Sequence, residues 1–183
     1  IYTSEQSQVW VANTQVSFCA RVYPTVPVGH ADAAPLTVLG ELLRNGYLHR
    51  AVREKGGAYG GGASQDSGDA IFRFYSYRDP RTLETLEDFD RSISWLIDGG
   101  ADAAQLEEAI LGVVSSIDKP GSPAGEAKAT YLNAIFGRTP EQRKEFRRAI
   151  LQVKLEDLAR VAQTYLADNS KARTAIVTHA KAA

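Results

Sequence analysis

The sequence predicts an α+β domain, in which a mostly antiparallel sheet carries helices layered on one face. Segments in which apolar and polar residues alternate, as they do in strands, occur in the first half of the chain and again at its end. Apolar residues at helical spacing fill most of the remainder. The resulting order is strands, helices, strands, a long helical run and one strand. This order is typical of α+β domains.

Size and composition limit what this domain could be. The 183 residues are 44% apolar, which suits one hydrophobic core, so residues 1–183 are interpreted as a single domain. Lys and Arg number 21 against 22 for Asp and Glu, so no net field favours nucleic acid or an anionic membrane as partner. No apolar run is long enough to cross a membrane. The single Cys19 fits a reducing compartment, which favours the cytoplasm without fixing the location.

Five segments are predicted as strands: 8–12, 15–23, 58–64, 69–77 and 172–179. In the second of them, Val16, Phe18, Ala20 and Val22 share one side, which indicates a strand with one buried face. The segment 58–64 is rich in glycine and is the weakest candidate. Turn residues between it and 69–77 predict a hairpin.

Helix starts and stops are marked by capping residues, glycines and prolines. Asn45-Gly46 predicts the end of the first helix. Asp102 with Gln105 opens one helix, and Thr139 with Gln142 has the form of a capping box at the start of another. The predicted helices are 32–45, a short one with Leu48 and Val52 that ends at Gly56-Gly57, Asp79-Pro80 to Gly99-Gly100, Asp102 to Lys119, Ser122-Pro123 to Gly137, one from Thr139-Pro140, and a last one with Leu155, Leu158, Val161 and Leu166.

Several kinds of chemistry are missing from the sequence. The three histidines, His30, His49 and His179, are far apart along the chain, and neither HExxH nor HxxEH occurs, so no metal site is predicted. Cys19 lies in a strand without an evident partner, which favours a structural role over a nucleophile. The glycine-rich segment lacks the Lys-Ser/Thr ending of a phosphate-binding loop.

The stretch REKGGAYGGG, residues 53–62, is the candidate functional segment. A strand without side chains allows another backbone to approach closely, as a bound peptide would. In this interpretation Arg53, Gly57, Tyr59 and Gly60 meet the peptide. The residue types equally allow a structural interpretation, in which the glycines mark tight packing, Tyr59 fills a gap in the core and Arg53 lies along the surface.

The longer run LHRAVREKGGAYGGG resembles the C-terminal domain of pitrilysin/insulinase-type zinc peptidases, and most closely the presequence-protease branch. That branch has the same Arg, followed six residues later by Tyr, with glycines on both sides. FRFYSYRDP and IDKPGSP are also similar to it. The resemblance covers the chain from about residue 15 to its end.

The resemblance implies a four-domain parent protein whose two halves close around a chamber. Its N-terminal half would carry zinc on an HxxEH helix, and this chain would be the C-terminal domain. Tyr59 would donate a hydrogen bond to the scissile carbonyl oxygen of an unfolded peptide, and Arg53 would hold the peptide backbone. Both would play supporting catalytic roles in the parent enzyme.

The chain itself lacks HxxEH. It is therefore expected to bind no cofactor and to hydrolyse nothing alone, as a noncatalytic, substrate-binding domain. Two alternatives stay open. One is a free-standing peptide-binding or structural module without peptidase activity, and the other is the inactive subunit of a two-chain peptidase.

Overall fold

A computed structural model describes residues 7–135 and 138–180. Its centre is a five-stranded sheet with the order β1-β5-β2-β4-β3. All neighbouring strands are antiparallel except β1 and β5. The α+β prediction and the predicted hairpin, formed by β3 and β4, are confirmed. The strands are β1 (Ser7–Val11), β2 (Ser17–Pro24), β3 (Gly60–Asp66), β4 (Ile71–Asp79) and β5 (Arg173–Thr178).

Helices cover one face of this sheet. Helix α1 packs against β3, and helix α2 packs against β2. None of the helices in the described ranges is long and apolar enough to cross a membrane. The helices are α1 (Ala33–Leu43), α2 (Leu83–Ile97), α3 (Ala103–Asp118), α4 (Pro123–Ile135), α5 (Pro140–Ile150) and α6 (Leu155–Tyr165), with a 3₁₀ turn at Asn169–Lys171.

The helix predicted to end at Asn45-Gly46 does not end there. Instead α1 continues directly into a π-helical segment, Arg44–Lys55. A Cβ on Gly46 would lie 3.3 Å from the ring of Trp95, so this glycine gives room for the indole rather than stopping the helix. The segment ends at Lys55, immediately before the end predicted at Gly56-Gly57, and buries Leu48 and Val52.

The core between sheet and helices is built on four fully buried aromatic rings. Phe74 lies at their centre, with ring centroids 6.1 Å from Tyr23, 5.2 Å from Phe72 and 5.3 Å from Phe89. Burying a side chain of this size contributes about 1.5–3 kcal/mol. Strand β4 therefore presents Phe72 and Phe74 to the helices, and its alternate residues to the other face.

The buried face of β2 is not the apolar one. Ser17, Cys19 and Tyr23 face the helices, whereas Phe18 is 41% exposed on the uncovered face. The inward polar groups are satisfied, which makes their burial possible. Ser17 Oγ lies 2.8 Å from Thr178 Oγ1, and the Tyr23 hydroxyl donates to Asn169 Oδ1 at 2.6 Å.

The predicted start of the third helix at Asp79-Pro80 is also wrong. Asp79 ends β4, and α2 begins at Leu83. The Asp79 carboxylate is completely buried and accepts hydrogen bonds from the Thr85 hydroxyl at 2.7 Å and the Arg81 backbone N–H at 3.0 Å. It therefore joins the end of β4 to the first turn of α2 through the Thr85 hydroxyl.

The predicted helix start at Asp102 and the predicted capping box at Thr139 are confirmed, and both sites form capping boxes. Gln105 N–H donates to Asp102 Oδ1 at 2.8 Å, and Gln142 N–H donates to Thr139 Oγ1 at 3.2 Å. The glutamine side chain accepts from the cap residue's own N–H in each case. Phe136 and Gly137, predicted at the end of α4, lie outside the described residues.

Candidate functional site

Arg53 and Tyr59 lie on either side of one tight turn, at the end of the π-helical segment and the start of β3. Both side chains are exposed, and Tyr59 is 65% accessible. The structural interpretation in which Tyr59 fills a gap in the core is therefore wrong. Placed in this way, the phenol and the guanidinium can reach a molecule outside the domain.

The turn between them is held by backbone hydrogen bonds. Gly57 N–H donates to Arg53 O at 3.0 Å, and Ala58 N–H donates to Val52 O at 3.2 Å. Gly57 has a φ of +80°, a conformation that a side chain disfavours. The turn thus depends on glycine at this position, and it fixes the direction in which the chain leaves toward Tyr59.

The Tyr59 ring is held from two sides. The backbone N–H of Tyr59 donates to Arg78 O at 3.2 Å. The Arg78 guanidinium carbon lies 5.5 Å from the centroid of the Tyr59 ring. The Tyr77 ring lies 5.7 Å away, inclined by 57°. Within residues 7–135 and 138–180, the Tyr59 hydroxyl has no hydrogen-bond partner. The ring is therefore positioned while its polar end stays available.

Arg53 contacts a histidine and no carboxylate among the described residues. Its Nη1 lies 3.3 Å from His49 Nε2, and His49 Nδ1 lies 3.5 Å from Glu54 Oε1. In a π-helical segment backbone bonds span five residues, so His49 is next to residues both four and five positions ahead. A guanidinium only donates, which makes Nε2 the acceptor and assigns the ring proton to Nδ1.

The glycines of β3 are not a bare patch. A Cβ on Gly60 would lie 2.5 Å from the Tyr77 hydroxyl, and a Cβ on Gly62 would lie 2.9 Å from Arg44 Cγ. The protein's own side chains fill this space, so tight packing, the alternative left open by the sequence, accounts for these two glycines. The open part of β3 is its edge, since among the described strands only β4 pairs with it.

Sequence reasoning missed Tyr77, Arg78 and Arg81. Their signal was the YRDPR run, in which Tyr77 ends the predicted strand and Asp79-Pro80 was interpreted as the start of a helix. The Arg81 guanidinium lies over Gly56, and its Nη1 is 3.1 Å from Asp88 Oδ2. These residues support the turn and the ring that the sequence did identify.

Other reactive groups lie away from this turn. Burial raises the pKa of the Cys19 thiol, which agrees with a structural cysteine. Among the residues that the structure describes, no three His, Cys, Asp or Glu side chains cluster closely enough to hold a metal ion. The described residues around the turn thus offer hydrogen-bond donors and a cation.

Comparison with known proteins adds the family. Residues 7–181 match the family described as "PreP C-terminal domain". The mitochondrial presequence protease of Yarrowia lipolytica is 42% identical over 168 residues, which are 92% of this chain and 17% of that protein. Its counterpart in Danio rerio is 39% identical over 151 residues, 82% of this chain and 14% of the relative. The chain therefore spans about one sixth of the length of these relatives.

Solved structures share the fold. A protease from Helicobacter pylori superimposes with a TM-score of 0.81 at 18% identity, covering 94% of this chain and 43% of the other. The peptidase M16 inactive domain from Pseudomonas fluorescens gives a TM-score of 0.75 at 14% identity, with coverages of 94% and 43%. Together with the sequence match, this confirms the resemblance found in the glycine-rich run: the chain belongs to the PreP C-terminal domain family.

Proposed function

We propose that this chain is the noncatalytic, substrate-binding domain of a zinc metalloendopeptidase that degrades unfolded peptides. The relatives are named as proteases and are about six times longer, so the remaining five sixths have room for a zinc-bearing half. This chain contains no HxxEH motif. Its partner would be the zinc-bearing N-terminal half of the same polypeptide, and zinc there would supply the activated water.

The exposed, firmly held Tyr59 is the observation that carries this proposal. A phenol whose hydroxyl has no partner among the described residues can donate a hydrogen bond to a carbonyl oxygen. The bond strengthens as that oxygen gains negative charge, so it stabilises the transition state more than the bound substrate. The fixed ring limits the reorganisation that this interaction requires.

Arg53 is proposed to hold the substrate backbone. Its guanidinium only donates hydrogen bonds, and no carboxylate of the described residues neutralises it. Peptide carbonyl groups are suitable acceptors. Gly57 is exposed beside it and would meet the peptide through its main chain. Gly60, the other glycine assigned to the peptide, is buried under Tyr77 and would line the site from behind that ring.

The test uses the full-length protein and two substitutions. Removing one oxyanion donor typically lowers kcat by about a hundredfold, which is the expected effect of Tyr59→Phe. Arg53→Ala is expected mainly to raise KM. Zinc content should be unchanged in both variants. Matched controls are Tyr131→Phe and Arg91→Ala, exposed residues on α4 and α2 that should leave both constants unchanged.

Two outcomes would reject the proposal. Wild-type kinetics in both Arg53→Ala and Tyr59→Phe would remove the roles assigned to these residues. Peptide binding without any turnover by the zinc-loaded full-length protein would favour a free-standing peptide-binding module. The isolated 183-residue chain is expected to show no chelator-sensitive turnover with added zinc.

The compartment stays a prediction. The sequence favours the cytoplasm, whereas the two relatives compared above are named as mitochondrial proteins. Fractionation of the native host cells, with detection of the full-length protein, distinguishes the two locations.

A further inference from the structure

Arg78 occupies an unusual backbone position. Strand β2 pairs Phe18 with Tyr77 and Ser17 with Asp79, so Arg78 is the extra residue of a β-bulge. Its φ is +50°, in the left-handed region that favours glycine. Ala70 is the other non-glycine residue with positive φ among those described, and it lies in the β3–β4 turn. Arginine is unfavourable in this backbone conformation, so we expect its side chain to make a contact that a glycine could not make.

The bulge changes where the Arg78 side chain points. In a regular strand, residues alternate between faces, and Arg78 would follow Ser76 toward the buried side. Ser76 and Asp79 are indeed buried, whereas Arg78 is exposed. The extra residue therefore directs the guanidinium away from the core and toward the ring of Tyr59, 5.5 Å from its centroid.

Neighbouring contacts hold the bulge in place. The buried Asp79 carboxylate accepts hydrogen bonds from Thr85 and from the Arg81 backbone. A Cβ on Gly57 would lie 3.5 Å from Pro80, so the chain after the bulge packs against the turn before Tyr59. The Arg78 carbonyl accepts the Tyr59 N–H at 3.2 Å. Backbone and side chain of Arg78 thus both contact Tyr59.

We propose that Arg78 is a positioning residue, which holds the Tyr59 ring by a cation–π contact so that the phenol meets the scissile carbonyl. The inference rests on the proposed function of Tyr59. A guanidinium stacks on a ring face, so it restricts an exposed phenol without using the phenol's hydroxyl. Small misplacements of a catalytic group lower turnover strongly. Loss of Arg78 should therefore lower kcat while leaving KM nearly unchanged.

The experiment measures peptide hydrolysis by the zinc-loaded full-length protein. Arg78→Gly suits the positive φ and removes the guanidinium, so its melting temperature should not fall. Its kcat should fall by about tenfold. Arg78→Lys keeps the charge without the planar group, so its kcat should lie between those of the wild type and Arg78→Gly. Arg78→Asn tolerates the same backbone and replaces the glycine variant if that fails to fold. Arg73→Ala, an exposed arginine on the same strand, is the control.

A second background separates positioning from general damage. In Tyr59→Phe there is no hydroxyl to place, so adding Arg78→Gly should lower kcat by less than about twofold. An equal loss in both backgrounds, or no loss in either, would overturn the role of Arg78. If Tyr59→Phe alone keeps wild-type turnover, the proposed function fails, and the positioning role fails with it. A loss in Tyr59→Phe without one in Arg78→Gly rejects only Arg78.

Discussion

The Arg81 guanidinium lies directly over Gly56, in the space that a Cβ on that residue would occupy. From there its Nη1 reaches Asp88 Oδ2 at 3.1 Å, and its Nη2 donates to Ala51 O at 3.5 Å. One side chain therefore links the end of the π-helical segment to helix α2. The turn that carries Tyr59 is fastened to the core through this contact.

Gly56→Ala should destabilise the domain because the new methyl group displaces Arg81. The guanidinium would leave its partly buried ion pair with Asp88, and the expected cost is about 1–3 kcal/mol of unfolding free energy. Urea denaturation monitored by Trp fluorescence measures it. Gly125→Ala, in the exposed helix α4, is the control, and it should be neutral or slightly stabilising. Equal stability of both variants would contradict the constraint at Gly56.

His49→Ala should loosen Arg53. The contact between Arg53 Nη1 and His49 Nε2 is exposed, so its contribution is small, and KM for peptide should rise by less than about fivefold. His49→Gln keeps an acceptor and should restore part of the affinity. Steady-state kinetics of the full-length protein provide the measurement. An unchanged KM in His49→Ala would show that Arg53 needs no help from its neighbour.

Asp32→Asn should remove a pH-dependent part of the stability. Asp32 joins the start of α1 to α6 by accepting hydrogen bonds from Arg160 Nη2 and the Tyr165 hydroxyl, both at 2.7 Å. The Arg160 hydrogen bond is the main reason that the pKa of Asp32 is lowered. Arg160 is half exposed, which limits the effect at pH 7 to about 1 kcal/mol.

The direction of the pH effect follows from that lowered pKa. A carboxyl group with a lower pKa in the folded state stabilises fully above its unfolded pKa of about 4. The stabilisation is lost as the pH falls through the folded value. The difference in unfolding free energy between wild type and Asp32→Asn should therefore be constant near neutrality and shrink below about pH 4. Glu87→Gln, in an exposed pair with Arg91, should show little of this dependence.

Ser17 and Thr178 should show strong coupling. Their hydroxyls are buried and 2.8 Å apart, so Ser17→Ala leaves Thr178 without its partner and should cost about 1–3 kcal/mol. Thr178→Val in the Ser17→Ala background should cost much less than it does alone, because no polar group is then left unpaired. A double-mutant cycle by chemical denaturation tests this, and strictly additive losses would contradict it.

Much of the fold was readable in local patterns. Capping boxes at Asp102 and Thr139, the hairpin before β4 and the end of the helical segment at Gly56 depend on residues close in sequence. The same holds for the run that identified the family and placed Arg53 and Tyr59 on one turn. Local hydrogen bonding and glycine conformation specify the ends of these elements, whereas contacts from Arg78 and Arg81 hold the turn in place.

Only the tertiary structure decided which face of β2 is buried, what fills the space over the β3 glycines, and what holds Tyr59. Each depends on residues from distant segments: Thr178 beside Ser17, Tyr77 over Gly60 and Arg78 over the phenol. The alternation of apolar and polar residues shows that a strand has two unlike faces. Which face is buried depends on whether a residue elsewhere in the chain can form a hydrogen bond with its hydroxyl groups. The bulge at Arg78 could not be predicted from the sequence of β4 alone, because a bulge is defined by the register between two paired strands.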